Sequence, residues 1–321
     1  MENLQADQGI IWKIDRFAQH DGPGIRTNFY FKGCALRCQW CENPEGQTSV
    51  PELVLFGSRC NGCGLCVERC PHQAIELQDA IGTDRTNLRI NRPKCDLCEV
   101  CVPVCPKNAL EIWGRKYSIE ELAEILEKDR GVHRRSGGGL TCTGGDPLHQ
   151  SGFTLKLLKL CRKRGIHTGM ETCGDGDEES FRVILEEVDW LCIDLKHMNR
   201  KDHLLLTGKS NDRILRNLRL ASSRLAARQK SLVIRMVVVP GANDENNIVE
   251  MADFLSSLPF VTEVELLPYH AYGVHKYDLL DRSYKLKDVI PPSSEAMARY
   301  RTVLESRGLR VTEELQKVDL S

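Results

Sequence analysis

Two copies of one cysteine run constrain this chain more than any other feature. Cys60, Cys63, Cys66 and Cys70 form C-x2-C-x2-C-x3-C, followed by Pro71. Cys95, Cys98, Cys101 and Cys105 repeat it 35 residues later, followed by Pro106. The tails repeat as well, Cys-Pro-His-Gln-Ala-Ile-Glu-Leu (70–77) against Cys-Pro-Lys-Asn-Ala-Leu-Glu-Ile (105–112). Internal repetition at a fixed offset marks one structural unit used twice. This spacing is the bacterial signature for two [4Fe-4S] clusters. Three close thiolates wrap one cube, and the fourth reaches across to the other. The prediction is one cluster on Cys60, Cys63, Cys66 and Cys105 and a second on Cys70, Cys95, Cys98 and Cys101. A pair of zinc knuckles is the alternative, and two complete copies with the Cys-Pro ending count against it.

A third group, Cys34, Cys38 and Cys41, has only three thiols, spaced C-x3-C-x2-C. On a [4Fe-4S] cube, three thiolates leave one iron without a protein ligand. An open metal position is where small molecules react, as in catalytic zinc sites. A zinc site completed by a distant histidine is the bland alternative for this group taken alone. Cys142, Cys161, Cys173 and Cys192 stand singly. Cys142, Cys161 and Cys192 lie within strand or helix patterns and are expected to be buried, inert thiols. Cys173 sits in a motif but is given no ligand role.

A disulfide scaffold accounts poorly for these 15 cysteines: the count is odd, and 321 residues with 41% hydrophobic content allow a sizeable core. The segment Met1 to His20 lacks the basic-then-apolar layout of a signal peptide. No stretch approaches the roughly 18 apolar residues of a membrane span. The expectation is a cytoplasmic protein whose thiols stay reduced. With 44 basic and 45 acidic residues the net charge is −1, which gives no support for a nucleic-acid or membrane partner.

A resemblance enters at the third group. His20-Asp21-Gly22-Pro23-Gly24-Ile25-Arg26-Thr27 precedes Lys32-Gly33-Cys34-Ala35-Leu36-Arg37-Cys38-Gln39-Trp40-Cys41-Glu42-Asn43-Pro44-Glu45. Together they resemble the opening of radical S-adenosylmethionine (SAM) enzymes, and more narrowly of the activating enzymes of glycyl radical enzymes. Later segments match in order: Gly144-Gly145-Asp146-Pro147, Glu171-Thr172-Cys173-Gly174 and Asp194-Leu195-Lys196. Arg235 through Pro240-Gly241-Ala242-Asn243-Asp244 and then Leu267-Pro268-Tyr269-His270 follow. Two positions depart from the family pattern. Asp146 stands where Gly-Gly-Glu-Pro has Glu, and Glu171 where Asp-Thr-Cys-Gly has Asp. Each keeps the carboxylate and moves it by one methylene.

The resemblance implies an α/β fold. A partial, open TIM-type barrel would cover 1–46 and 114–321, and a ferredoxin-like α+β insert 47–113. It implies three [4Fe-4S] clusters, with SAM as cosubstrate. Cys34, Cys38 and Cys41 would hold the cluster that cleaves SAM. The SAM contacts would come from Trp40, Cys41, Glu42, Gly144, Gly145, Asp146, Asp194, Leu195, Lys196, Arg235 and His270. Within that set, Gly144 and Gly145 would let the backbone approach the methionyl amino group. Asp194 and Lys196 would hold the carboxylate and ribose region, Arg235 would face an anion such as the SAM carboxylate, and His270 would lie near the adenosine. Glu171, Thr172, Asp194 and the Cys192 carbonyl would correspond to a monovalent-cation site. Asp21 and Gly22-Pro23-Gly24 would touch a partner's glycine loop, or form a plain type II turn.

The implied reaction is reductive cleavage of SAM to methionine and a 5′-deoxyadenosyl radical. That radical removes a hydrogen from a backbone glycine of a partner, a glycyl radical enzyme. A low-potential donor such as flavodoxin or ferredoxin supplies the electron, and the chain itself is expected to be a monomer. Two rivals stay open: a radical SAM enzyme acting on a small molecule, and an electron-transfer protein with no catalysis of its own.

Local patterning agrees with a barrel. Ser118 with Glu121 reads as a capping box ahead of an apolar helical stripe at Ile119, Leu122, Ile125 and Leu126. Helices are expected at about 150–164, 177–187, 211–229 and 244–257. Apolar runs at Leu140–Thr143, Ile166–Met170, Trp190–Leu195, Leu232–Val239 and Val261–Leu267 read as strands between them. Alternating strands and helices imply a parallel sheet. The run at 232–239 suits a strand covered on both faces. The motifs fall at or just past strand ends, where parallel barrels carry their active sites.

Overall fold

The computed structural model describes residues 7–77 and 88–313. Residues 1–6 and 314–321 of the expected barrel, and 78–87 of the expected insert, lie outside these. The chain opens with a hairpin, β1 (Gln8–Ala18) and β2 (Arg26–Phe31). A compact segment follows: β3 (Glu52–Leu55), helix α1 (Leu65–Arg69), β4 (Ile75–Leu77), β5 (Leu88–Ile90) and β6 (Leu110–Trp113). Next come β7 (Arg115–Ser118), α2 (Ile119–Ser136), β8 (Gly139–Gly144), α3 (Ser151–Lys163), β9 (His167–Thr172), α4 (Glu178–Leu185) and β10 (Trp190–Asp194). The chain continues with α5 (Arg200–Thr207), α6 (Asp212–Arg228), β11 (Ser231–Val238), α7 (Asn246–Ser256), β12 (Glu263–Pro268), α8 (Val274–Leu279), α9 (Ser294–Glu305) and β13 (Val311–Glu313). No helix among the described residues is long and apolar enough to cross a membrane.

Nine strands make one sheet in the order β13-β12-β11-β10-β9-β8-β2-β1-β7. From β2 through β8 to β13 the neighbours are parallel, while β1 is antiparallel to both β2 and β7. The edges β13 and β7 do not pair with each other among the described residues, so the barrel is open. The five expected strands and five expected helices are all present within a few residues. The hairpin, β7, β13, α5, α8 and α9 carried no expectation.

Local chemistry sets the helix boundaries. The Ser118 side chain accepts from the Glu121 amide, and the Glu121 carboxylate accepts from the Ser118 amide. Both ends of the capping box are therefore made. Helix α2 stops at Gly137, whose φ of 72° is the left-handed geometry that favours glycine. Leu122 and Leu126 point into one large core with Leu157 of α3, Leu218 of α6 and Met251 of α7. That core coats one face of the sheet. Strand β11 is covered on both faces, as expected, with no exposed residue along it. Leu232, Ile234, Met236 and Val238 join the helix-side core, whereas Val233 and Arg235 turn to the other face.

The segment from β3 to β6 has its own core of Leu53, Cys66, Ile75, Ile90, Cys101 and Leu110. Its strands exchange partners. β3, before the first cysteine run, pairs with β6, after the second; β5, before the second, pairs with β4, after the first. The repeat also holds in the backbone. Gly62 and Gly64 have φ of 71° and 76°, and Leu97 and Glu99, 35 residues on, have 62° and 63°. Two residues with side chains thus take up a conformation that costs about 1–2 kcal/mol each.

Candidate functional site

Cys34, Cys38 and Cys41 sit in the loop that leaves β2, at the C-terminal end of the parallel strands. The loop is pinned where it begins and ends: the Gly33 amide bonds the Gly46 carbonyl at 2.8 Å, and the Cys34 amide bonds Gln47 at 3.3 Å. The Leu36 amide points at the Cys34 sulfur at 3.4 Å. Burial pushes the Cys38 and Cys41 thiols up, Cys41 to about 11, and the nearby Lys196 ammonium pulls both back. Three thiols on one short loop, with an amide already aimed at sulfur, suit an iron–sulfur cluster. Trp40 lies beside them, buried, and its Nε1 has no hydrogen-bond partner among the described residues.

Strand β8 delivers Gly144, Gly145 and Asp146 against this loop. The Gly145 amide bonds the Phe31 carbonyl at 2.8 Å, and the Asp146 amide bonds Gly33 at 2.8 Å. A Cβ on Gly145 would stand 2.2 Å from the Gly46 carbonyl oxygen and 2.4 Å from that of Gly33. Protein backbone therefore demands this glycine, a reason other than the expected approach of a ligand. Asp146 is also committed to the protein. Its carboxylate accepts from the Leu148 amide (2.8 Å), the Thr172 hydroxyl (2.8 Å), the Cys173 amide (2.9 Å) and the Cys173 thiol (2.7 Å). Cys173, given no role from sequence, brings its sulfur together with Asp146 and Cys34 within 4.8 Å.

The next strands supply charge. Asp194 and Lys196 pair at 3.2 Å at the end of β10. Lys196 stays above its ordinary range although burial opposes its charge, because Asp194 and the thiols around it outweigh burial. Arg235 does face the interior of the barrel, where it is held by two carboxylates. Glu265 lies opposite it on β12 at 2.7 Å, and Glu171 lies two strands away on β9 at 2.8 Å. Glu171 also accepts from Thr143 at 2.7 Å. Burial pushes Glu171 up, and Arg235 pulls it partly back. Of the four expected cation ligands, Glu171 is thus engaged by Arg235, Thr172 by Asp146, and Cys192 lies mid-strand and buried. Leu195 is buried in the helix-side core. At the rim, His270 stacks on Tyr272 at 4.1 Å, with the Glu42 carboxylate 3.9 Å from its Nε2.

The segment Asp21–Gly24 lies elsewhere. The Thr141 hydroxyl donates to the Asp21 carbonyl, Arg26 donates to Pro23, and Gly24 packs on Gly138. These neighbours stand at the N-terminal ends of the strands, opposite the three-cysteine loop. Residues with no sequence signal hold that loop instead. Tyr277 donates to the Cys41 carbonyl at 2.9 Å, Lys276 to Glu42 at 3.0 Å, and Arg282 to Pro44 at 2.5 Å. No motif marks them. They come from beyond β12, more than 230 positions away in sequence.

The compact segment contains two cavities. One of about 340 Å³, counting space open to solvent, is lined by Cys70, Cys95, Cys98 and Cys101. The other, about 290 Å³, is lined by Cys60, Cys63, Cys66 and Cys105. The exchange of strand partners carries each fourth cysteine to the other run. The Ala74 and Ala109 amides each donate to the fourth sulfur, Cys70 and Cys105, at 3.2 Å.

A model of the radical SAM superfamily matches residues 29–255. The isethionate sulfite-lyase activating enzyme of Desulfovibrio desulfuricans is 38% identical over 95% of this chain and 96% of its own length. The chain belongs to the radical SAM superfamily, among the activating enzymes of glycyl radical enzymes. The trans-4-hydroxy-L-proline dehydratase activating enzyme of Clostridioides difficile is 36% identical over 92% of this chain and 96% of its own. The benzylsuccinate synthase activating enzyme of Thauera aromatica is 38% identical, covering 94% and 92%. An activating enzyme of this family has a glycyl radical enzyme as its partner.

Proposed function

We propose that the three-cysteine loop holds a [4Fe-4S] cluster with one iron left for SAM, and that this chain thereby installs the glycyl radical in its partner. The observation that supports this most is the placement of three thiols, with the Asp194–Lys196 pair, at one end of an open parallel barrel. When bound, the cluster supplies the electron that cleaves SAM to methionine and a 5′-deoxyadenosyl radical, which takes hydrogen from the partner's glycine. The chain's own residues do the rest. Lys196 offers a held positive charge to a carboxylate, and the unpartnered Trp40 Nε1 offers a donor. His270 and Tyr272 offer an aromatic surface at the rim.

We further read the two four-cysteine cavities as sites for two more [4Fe-4S] clusters within a ferredoxin-like insert at 47–113, fed by a low-potential donor. A monomeric, cytoplasmic protein agrees with that reading. The monovalent-cation site has weaker support, since Arg235 competes for Glu171. Replacement Cys34→Ala tests the reading. We expect 5′-deoxyadenosine formation under dithionite to fall to background while about eight irons, two cubes' worth, stay in the insert. Retained cleavage would refute it.

A further inference from the structure

The segment carrying the eight repeated cysteines is tied to the three-cysteine loop through one carboxylate. Glu52 is the first residue of β3, and its side chain is largely buried, 11% exposed. One of its oxygens accepts from Lys32 at 2.8 Å and from the Thr48 hydroxyl at 2.8 Å. Its other oxygen pairs with Arg282. Lys32, fully buried, stands two residues before Cys34 and also donates to the Glu45 carbonyl at 2.7 Å. Arg282 also donates to the Pro44 carbonyl. Glu52 therefore anchors two cations that hold the loop's second end at Pro44 and Glu45, and one of them, Lys32, is rooted in the chain at the loop's first end.

We propose that Glu52 is a positioning residue for the cysteine loop, so that the insert acts on catalysis mechanically, by setting that loop. This rests on the functional reading above and adds to it. An insert that only delivers electrons would be dispensable when a small reductant reaches the loop directly. An insert that holds the loop would not be.

The test is Glu52→Gln, which keeps the shape and removes the charge, in the anaerobically reconstituted holoenzyme. Deuterium exchange read by mass spectrometry reports the loop itself. We expect amides of 33–47 to exchange about fivefold faster or more than in the parent, with those of 60–77 unchanged. We expect SAM to bind about tenfold more weakly. Cleavage should fall by the same factor with dithionite as with a protein donor. Glu52→Asp should restore part of the protection. Should Glu52→Gln fail to fold, Arg282→Lys, which keeps the charge and loses the planar fork, takes the same readouts. Loop amides exchanging at the parent rate, or a cleavage defect that dithionite bypasses, would overturn the proposal. The exchange measurement does not depend on SAM cleavage. An inactive parent would sink the reading of function and leave the joint to be judged on exchange alone.

Discussion

The three-cysteine loop and the two four-cysteine runs reach the same kind of readiness by opposite routes. Each four-cysteine run shapes itself. Amides close in sequence point at its sulfurs, as Gly62 does at Cys60 and Ala74 at Cys70, and left-handed backbone at 62 and 64, or 97 and 99, turns the chain between thiols. The three-cysteine loop has such amides as well, at Leu36 on Cys34 and at Asn43 on Cys41. Most of its fixing comes from far away. Arg37 and Gln39 bond carbonyls at the end of α5, and Lys276, Tyr277 and Arg282 clamp its second half. Under the proposed reading, a site whose four ligands are all supplied by the runs needs only its own cage. A site that must leave a metal position open to a substrate depends on the surrounding fold to hold its ligands apart.

Breaking a remote clamp should therefore damage the loop and spare the runs. Lys276 pairs at 2.9 Å with Glu45, which is buried. Lys276→Met leaves that carboxylate without its cation, and we expect a loss of about 3 kcal/mol. Burial already holds Glu45 above the usual carboxylate range. A group raised in the folded state contributes most below its unfolded value of about 4.3, and that contribution is lost as pH rises. The deficit of Lys276→Met should thus be larger at pH 8 than at pH 6, as denaturant unfolding of variant and parent would show. Iron should be lost from the loop only.

Local changes should do the reverse. Gly62→Ala puts a side chain on left-handed backbone and should cost about 1 kcal/mol, whereas Glu99→Gly should gain a similar amount by relieving the matching position. Thermal scans of the reconstituted protein would detect both, with SAM cleavage unchanged. If Glu99→Gly destabilises instead, the two runs are less alike than their backbones indicate. Tyr277→Phe removes one hydrogen bond from the Cys41 carbonyl and should cost about 1 kcal/mol, seen as faster bleaching of the loop's cluster in air. Cys161→Ala should leave cleavage and iron content at parent values, since Cys161 is buried in the helix-side core. Any loss of iron there would contradict its role as packing.

Much of this was legible in advance, for a physical reason. Cysteine spacing is legible because a short turn between thiols can bring them to one site, and the repeated run shows that it does so twice. The capping box at Ser118 and the alternation of strands and helices are similarly local. Asp146 was harder to read. Its motif suggested a ligand contact, yet its carboxylate faces four protein donors, because the turn after β8 folds it inward. Arg235 was expected to face an anionic ligand; the barrel brings Glu171 and Glu265 to it across neighbouring strands.

The sequence by itself determined the cysteine groupings, the open-barrel class and the family. Each rests on residues that are neighbours in the chain or repeat with a period. Only the tertiary structure decided what grips the three-cysteine loop and which carboxylates hold Arg235. It also decided that Glu52 joins the segment from β3 to β6 to the loop. Those contacts join residues up to about 240 positions apart. No local pattern records them, because it is burial that selects charged partners across such distances, by making an unpaired charge too costly to keep.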